Sequence, residues 1–282
     1  MNTNLVLQGP QADIATLERI AALARPARIE ALGAHAVRAE GVTVNPVLKA
    51  QIEAAAWDAR VDAAFTAPGL TLANFRLVAM DMDSTLITIE CIDEIADMQG
   101  LKPQVAAITE AAMRGELDFS ASLLRRVALL EGLEASALQR VYDERLAISM
   151  GGEAMLAGVR AAGLKTLLVS GGFTFFTERL QRRLGLDHAH ANVLEVEGGR
   201  LTGRVVGGIV DAEEKRRTVQ RVCSDMGIDP VHAIVMGDGA NDLRMMGVAG
   251  LSVAFRAKPV VREQANVALN FSGLDGLLTI LS

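Results

Sequence analysis

Three short runs of mainly apolar residues, each stopping abruptly at polar ones, constrain this chain more than any other feature of its sequence. Leu77-Val78-Ala79-Met80 enters Asp81, the stretch 165–169 enters Ser170, and Ala233-Ile234-Val235-Met236 enters Gly237-Asp238. A strand with one wet face alternates apolar with polar residues. A run without alternation suits a strand buried on both faces of a parallel sheet. Helical stretches separate the runs, so the pattern predicts a doubly wound α/β domain. Ligands of such domains bind outside the carboxyl ends of the strands, where these runs stop.

Two stretches interrupt that alternation. Residues 87–150 carry helical signal and little strand signal, which predicts a helical cap inserted over the strand ends. Residues 192–206 read as a second, smaller insertion, a hairpin turning at Gly198-Gly199. Ahead of the α/β pattern, the first 70 or so residues predict a small α+β unit. Its strands are expected over 4–8, 28–42 (two, with a turn at Gly33-Ala34) and 61–66. Its helices are expected over 12–24 and 46–58, with Pro46 in the first turn, where a missing N–H costs least. Ile14, Leu17, Ile20 and Ala21 of the first helix share one face, and Val47, Ile52, Ala55 and Ala56 of the second are expected to face inward. Pro68-Gly69 marks the boundary. The expected domains are therefore 1–70 and 71–282, with the cap at about 88–150.

Composition narrows the classes of function. Hydrophobic residues are 50% of the chain and charged residues 22%, too apolar for disorder. A net charge of −6 provides no electrostatic footprint for nucleic acid. The short basic run Lys215-Arg216-Arg217 reads as a solvated helix face. Two cysteines, Cys91 and Cys223, make no disulfide framework. No secretory signal is read at the start, and no apolar stretch approaches the roughly 20 residues that span a bilayer. A cytoplasmic protein is expected, with no nucleic-acid or membrane partner.

The polar residues at the strand exits are of kinds that do chemistry. Asp81 and Asp83, at i and i+2 of an extended chain, point the same way; one can attack while the other handles a proton. Ser170-Gly171-Gly172 offers a hydroxyl and flexible N–H groups that can hold a phosphate. Gly237-Asp238-Gly239-Ala240-Asn241-Asp242 supplies hard oxygen ligands suited to Mg²⁺. Taken singly, each also reads as a helix cap or a tight turn, and Lys215 as a surface lysine.

Their order along the chain is more specific. Asp81-x-Asp83-x-Thr85, then Ser170, then Lys215, then Gly237-Asp238-x-x-Asn241-Asp242 resembles the four motifs of the haloacid dehalogenase-like phosphohydrolases, over about three quarters of the chain. Asp81 to Ile87, Glu90, Ile92-Asp93-Glu94-Ile95-Ala96, Ser170-Gly171-Gly172-Phe173 and Ala257-Lys258-Pro259 narrow the likeness to the branch of that family that hydrolyses phosphoserine. Met82 departs from the branch, which usually has Phe there, and is expected to point away from the substrate.

The resemblance implies a role for each residue. Asp81 would be the nucleophile and Asp83 the general acid and base. Mg²⁺ would be held by Asp81, Asp238 and the Asp83 carbonyl. Ser170, the Gly171 backbone and Lys215 would hold the phosphoryl oxygens. Asn241 would position the substrate, and Asp242 the metal's water shell. On the cap, Glu90 would meet the substrate's ammonium and Arg126 its carboxylate, while Met113 and Phe119 would close over it; the neighbouring Arg125 is the alternative to Arg126. The implied substrate is O-phosphoserine, in the last step of serine biosynthesis. The N-terminal unit is similar to small ACT-type modules, which leaves amino-acid binding and homodimerisation both open. Two rival readings stand beside this one: a relative acting on another small phosphorylated metabolite, and a signalling receiver that accepts phosphate on an aspartate.

Overall fold

The computed structural model describes residues 2–114 and 116–282, with the side chains of all of these except Asn2 and Met113. The N-terminal unit comprises β1 (Asn2–Gln8), α1 (Ile14–Ala22), β2 (Arg28–Gly33), β3 (Ala36–Thr43), α2 (Pro46–Asp58) and β4 (Asp62–Thr66). Its strands form an antiparallel sheet in the order β2-β3-β1-β4. Both helices start on side-chain caps: Asp13 accepts from Thr16 N at 2.8 Å and Asn45 from Leu48 N at 2.9 Å. Leu17, Ile20, Ala21, Ile52 and Ala56 are buried on Leu5 and Leu7 of β1. Val47 is not part of this core; it is 79% exposed, contrary to the sequence-based expectation. Five residues at about 100° each put it about 140° around the helix from Ile52. Leu48, on the Ile52 side, packs there instead.

The larger sheet has seven strands, in the order β11-β10-β9-β5-β6-β7-β8. They are β5 (Leu77–Met80), β6 (Lys165–Phe173), β7 (His188–Glu197), β8 (Arg200–Val206), β9 (Ala233–Gly237), β10 (Leu251–Phe255) and β11 (Val267–Leu269). All pairings are parallel except the β7–β8 hairpin. The three apolar runs are the neighbours β6, β5 and β9. The chain moves outward from β5 through β6 to β8, then crosses back to lay β9 on the other side of β5. Asp81 therefore stands at the topological switch point, where an open α/β sheet leaves a crevice.

Helices α3 (Cys91–Asp97), α4 (Lys102–Met113), α5 (Phe119–Ala128) and α6 (Ser136–Glu144) form the inserted cap. An antiparallel bridge between Ile87 and Ile148 ties its two ends together. The other helices, α7 (Gly152–Ala161), α8 (Thr174–Leu184), α9 (Ala212–Asp225), α10 (Leu243–Met246), α11 (Pro259–Gln264) and α12 (Gly276–Ile280), belong to the sheet domain. Two details differ from the sequence reading. β6 does not stop at Val169: it continues to Phe173 across a register shift at residues 170–172. The hairpin is not a separate insertion. His188 to His190 pair with β6 in the main sheet, and the same strand runs on to turn into β8.

The two units share buried surface. Side chains alternate along β1, so Val6 faces away from Leu5 and Leu7 and joins the core of the large domain, together with Ala64, Leu277 and Ile280. The junction also has a polar clamp. Asp62, 1% exposed, accepts from the backbone N–H groups of Asn270 at 2.7 Å, Phe271 at 3.1 Å and Ser272 at 2.9 Å. Asp62→Ala would strand these donors in the junction. The expected loss is about 2–4 kcal/mol of stability, read as a lower urea midpoint in a denaturation series.

Candidate active site

The floor of the site is a buried ion cluster. Lys215 stands in the second turn of α9, whose start is capped by Asp211 accepting from Glu214 N at 2.8 Å. Its side chain is 0% exposed, and its ammonium lies 2.8 Å from both Asp81 Oδ1 and Asp242 Oδ1. The expected solvated face thus applies to Arg216 and Arg217, which pair with Glu213, but not to Lys215. Burial opposes the ammonium, yet the adjacent Asp242 and Asp81 hold its pKa above the ordinary lysine value. Burial, then the charges of Asp242 and Asp238, push the Asp81 carboxyl well above the usual carboxylate range, against the pull of Lys215.

The oxygens of this cluster divide into committed and free. Asp242 uses both: Oδ1 on Lys215, and Oδ2 accepting from the N–H groups of Asp238 and Gly239 at 3.1 Å each. Asp81 Oδ1 also accepts from Met82 N at 2.8 Å. Asp238 Oδ1 accepts from Thr85 Oγ1 at 3.2 Å. The second oxygens of Asp81 and Asp238 have no hydrogen-bond partner among the described residues. The three carboxylates present oxygens within 4.8 Å of one another, a donor set that fits a small hard cation. Asp242, fully engaged, suits a supporting position better than that of a ligand.

After Asp81 the chain makes a tight turn over residues 82–86, in which Ser84 takes a left-handed φ of 54°. That turn swings Asp83 back toward the site. Met82 points into the hydrophobic core, away from the cavity. Asp83 Oδ1 accepts from Cys91 N at 2.9 Å, while its other oxygen lies 3.5 Å from Ser170 Oγ. Burial first, then the Glu90 charge, raise the Asp83 pKa to about 7.

Ser170 lies in the irregular stretch of β6. Its hydroxyl accepts from Gly172 N at 2.8 Å. A side chain at Gly172 would place a Cβ 2.7 Å from Asp83 Oδ2, and one at Gly171 would come 2.7 Å from the Phe119 ring, so the backbone approaches both cap and acid closely. Asn192, absent from the sequence reading, holds this stretch in place. It is 1% exposed, donates from Nδ2 to Gly171 O at 2.7 Å, and accepts from Val210 N at 2.8 Å. No local signal marks it, since the strand also carries His188, His190, Glu195 and Glu197; only the pairing of β7 with β6 makes it a buried polar group that must be satisfied.

Between floor and cap lies a cavity of about 590 Å³. Asp81, Asp83, Gly171, Asp238 and Asn241 line its lower part, and Glu90, Phe119 and Arg126 line it from the cap. Ser170, Lys215 and Asp242 lie buried beneath. Arg125 is exposed and does not line the cavity. Met113 ends α4, and its side chain is outside the described residues. Lys258, to which the sequence reading gave no role, lines the cavity as well; its N–H donates to Asp238 O at 3.1 Å. Glu90 Oε1 accepts from Ser84 Oγ at 2.7 Å. Surrounding protein raises the Glu90 pKa; the Ser84 hydrogen bond, Arg126 and Lys258 oppose that rise, and Asp93 adds to it.

Comparison with known proteins places this geometry. The family model described as haloacid dehalogenase-like hydrolase matches residues 78–247. A phosphoserine phosphatase of Polaromonas sp. (strain JS666) is 57% identical over 219 residues, which is 76% of this chain and 93% of that protein. Among solved structures, a HAD family hydrolase from Salmonella enterica serovar Typhi superposes with a TM-score of 0.91 at 33% identity, covering 99% of both chains. A phospho-aspartyl intermediate analogue of phosphoserine phosphatase superposes with a TM-score of 0.69 at 36% identity, over 74% of this chain and 99% of that one.

Lys215→Met would leave two carboxylates buried at the floor without their shared cation. Breaking a buried pair in this way costs about 3–5 kcal/mol, and we expect a loss of that size in urea denaturation of the variant against the parent protein.

Proposed function

The chain belongs to the haloacid dehalogenase-like hydrolases, and from that premise we propose that it hydrolyses O-phospho-L-serine to L-serine and phosphate through an aspartyl-phosphate intermediate. The observation that carries the reading is one cavity in which Asp81 and Asp83 face Glu90 and Arg126. The first pair suits a phosphoryl group, the second an amino acid's ammonium and carboxylate.

The chemistry runs in two halves. In the first, an Asp81 carboxylate oxygen attacks phosphorus, and the bond from phosphorus to the serine oxygen breaks. Asp83 gives its proton to that oxygen as it leaves. An ordinary aspartic acid is almost wholly ionised near neutrality, whereas a pKa of about 7 keeps a large fraction protonated and ready to donate. In the second half, the Asp83 carboxylate takes a proton from a water molecule that attacks phosphorus. Phosphate departs, Asp81 is restored, and Asp83 is again protonated.

Phosphoryl transfer depends chiefly on positioning and on neutralising charge. Lys215 holds the Asp81 carboxylate in place and offsets its repulsion of the incoming phosphate. The Ser170 hydroxyl and the Gly171 backbone cradle the phosphoryl oxygens, and Asn241 orients the substrate from the loop after β9. Asp81, Asp238 and the Asp83 carbonyl would hold Mg²⁺, which supplies further neutralisation between carboxylate and phosphate when bound. Glu90 receives the ammonium, Arg126 the carboxylate in a two-pronged contact, and Phe119 closes the cap over them. A receiver that only accepts phosphate would have no use for a raised acid, nor for paired charges on a cap. The reading extends to a cytoplasmic enzyme of serine biosynthesis, with the N-terminal unit as an ACT-like regulatory or dimerisation domain.

The deciding experiment is phosphate release over a panel of phosphorylated metabolites. Phosphoserine should be the preferred substrate, chelator should abolish turnover, and Mg²⁺ should restore it where Ca²⁺ does so poorly. Asp81→Asn should be folded and inactive; turnover in that variant, or full activity of the parent protein in metal-free buffer, would overturn the scheme. Arg126→Ala should lower kcat/KM for phosphoserine by about 10- to 100-fold, the worth of a hydrogen-bonded contact to a charged group. It should matter far less for a small phosphate ester lacking a carboxylate.

A further inference from the structure

Arg126 reaches the cavity from the last turn of α5 with few ties of its own. Among the described residues, its side chain makes one hydrogen bond, from Nε to Ser122 O, at a long 3.4 Å. Arginine carries five donors in a planar fork on a flexible stem, so a guanidinium held this loosely does not present a fixed edge to a carboxylate.

Asp93 stands opposite, in the first turn of α3, and lines the same cavity. Its Oδ1 is buried and has no hydrogen-bond partner among the described residues. An acidic residue in a first turn is often accounted for by the helix dipole. The next residue, Glu94, fits that account: it points outward and pairs with Arg145 at 3.7 Å. Asp93 does not, because it turns its carboxylate inward, where an unpaired oxygen is costly. Burial lowers the Arg126 pKa, and the nearby carboxylates of Asp93, then Glu90 and Asp83, oppose that fall.

We propose that Asp93 is a positioning residue for Arg126: as substrate enters, its free carboxylate oxygen takes one edge of the loosely held guanidinium, so that the other edge faces the substrate's carboxylate. The inference rests on the reading of Arg126 given above and deepens it. The cap then reads a zwitterion with an ordered set of charges. Glu90, fixed by Ser84, takes the ammonium; Arg126, fixed by Asp93, takes the carboxylate. Asp93 itself contacts no substrate atom, and its effect passes through Arg126.

The test compares kcat/KM for phosphoserine with kcat/KM for phosphoethanolamine, which keeps the ammonium and lacks the carboxylate. Asp93→Asn preserves shape and removes charge. It should lower the ratio of the two values about tenfold, mainly through KM for phosphoserine. Asp93→Glu, which keeps the charge, should recover part of the ratio, and this variant also serves if the asparagine protein folds poorly. In an Arg126→Ala background, Asp93→Asn should leave the ratio where Arg126→Ala alone has put it. A ratio unchanged by Asp93→Asn, or one that falls by the same factor with and without Arg126, would overturn the proposal. A parent protein that shows no preference for phosphoserine over phosphoethanolamine would overturn the reading of Arg126, and this proposal with it. A preference that Asp93→Asn retains would overturn this proposal alone.

Discussion

The rest of the site depends on one lysine without solvent. Lys215 lies between Asp81 and Asp242, and the three groups come from three elements: the exit of β5, the loop after β9, and α9. Each group would be costly to bury alone, since a charge in a low-dielectric interior is tolerated only when paired and hydrogen-bonded. Together they fix the spacing between two strand ends. Asp242 extends the lock by accepting from the N–H groups of Asp238 and Gly239, so the loop that presents Asp238 is tied to the same lysine that holds Asp81. The two carboxylates with unused oxygens are thereby brought together before any ligand arrives, which is the form of preorganisation phosphoryl transfer relies on.

Asp81 and Asp83 are separated by one residue but serve different ends because their surroundings differ. Asp81 is tied to an ammonium and an N–H group. Asp83 faces no cation at hydrogen-bond distance among the described residues; it accepts from one backbone N–H and lies near Glu90, and burial holds its pKa near 7. The left-handed Ser84 makes the difference in placement feasible. A non-glycine residue in that region carries strain, and its hydroxyl is engaged with Glu90. The turn that places Asp83 is therefore linked to Glu90 on the cap.

The cap and the N-terminal unit meet the sheet domain in contrasting ways. The cap joins the chain at Ile87 and Ile148, rests on the β7–β8 hairpin through backbone bonds between Gly132, Leu133 and Leu201, and keeps part of its inner face as open space lined by charge. The N-terminal sheet presses Val6 and Ala64 into the large core and is clamped by Asp62. Open charged surface suits a part that must admit a ligand, and dry packing suits a part that stays in place.

Much of the architecture was legible because it rests on local rules. Unbroken apolar runs announce strands buried on both faces, and catalysis requires particular side chains where such strands end. The family, its sheet and the order of Asp81, Ser170, Lys215 and Asp238 could all be read from the residues. What escaped depends on contacts between distant segments. Nothing local distinguishes Lys215 from Arg216 and Arg217, yet only the first is buried, because only it faces the gap between two strand exits. Asn192 matters only once β7 is laid beside β6. Val47 faces solvent because the helix's phase relative to its sheet, rather than its hydrophobicity, decides which side is covered. Asp93 and Arg126 come to line one cavity only when α3 and α5 fold over it. The sequence by itself determined which chemical groups were present and which strand would end at each. The tertiary structure decided which charges were taken out of water and set beside one another, because proximity and desolvation belong to the packed chain and have no counterpart in the order of its residues.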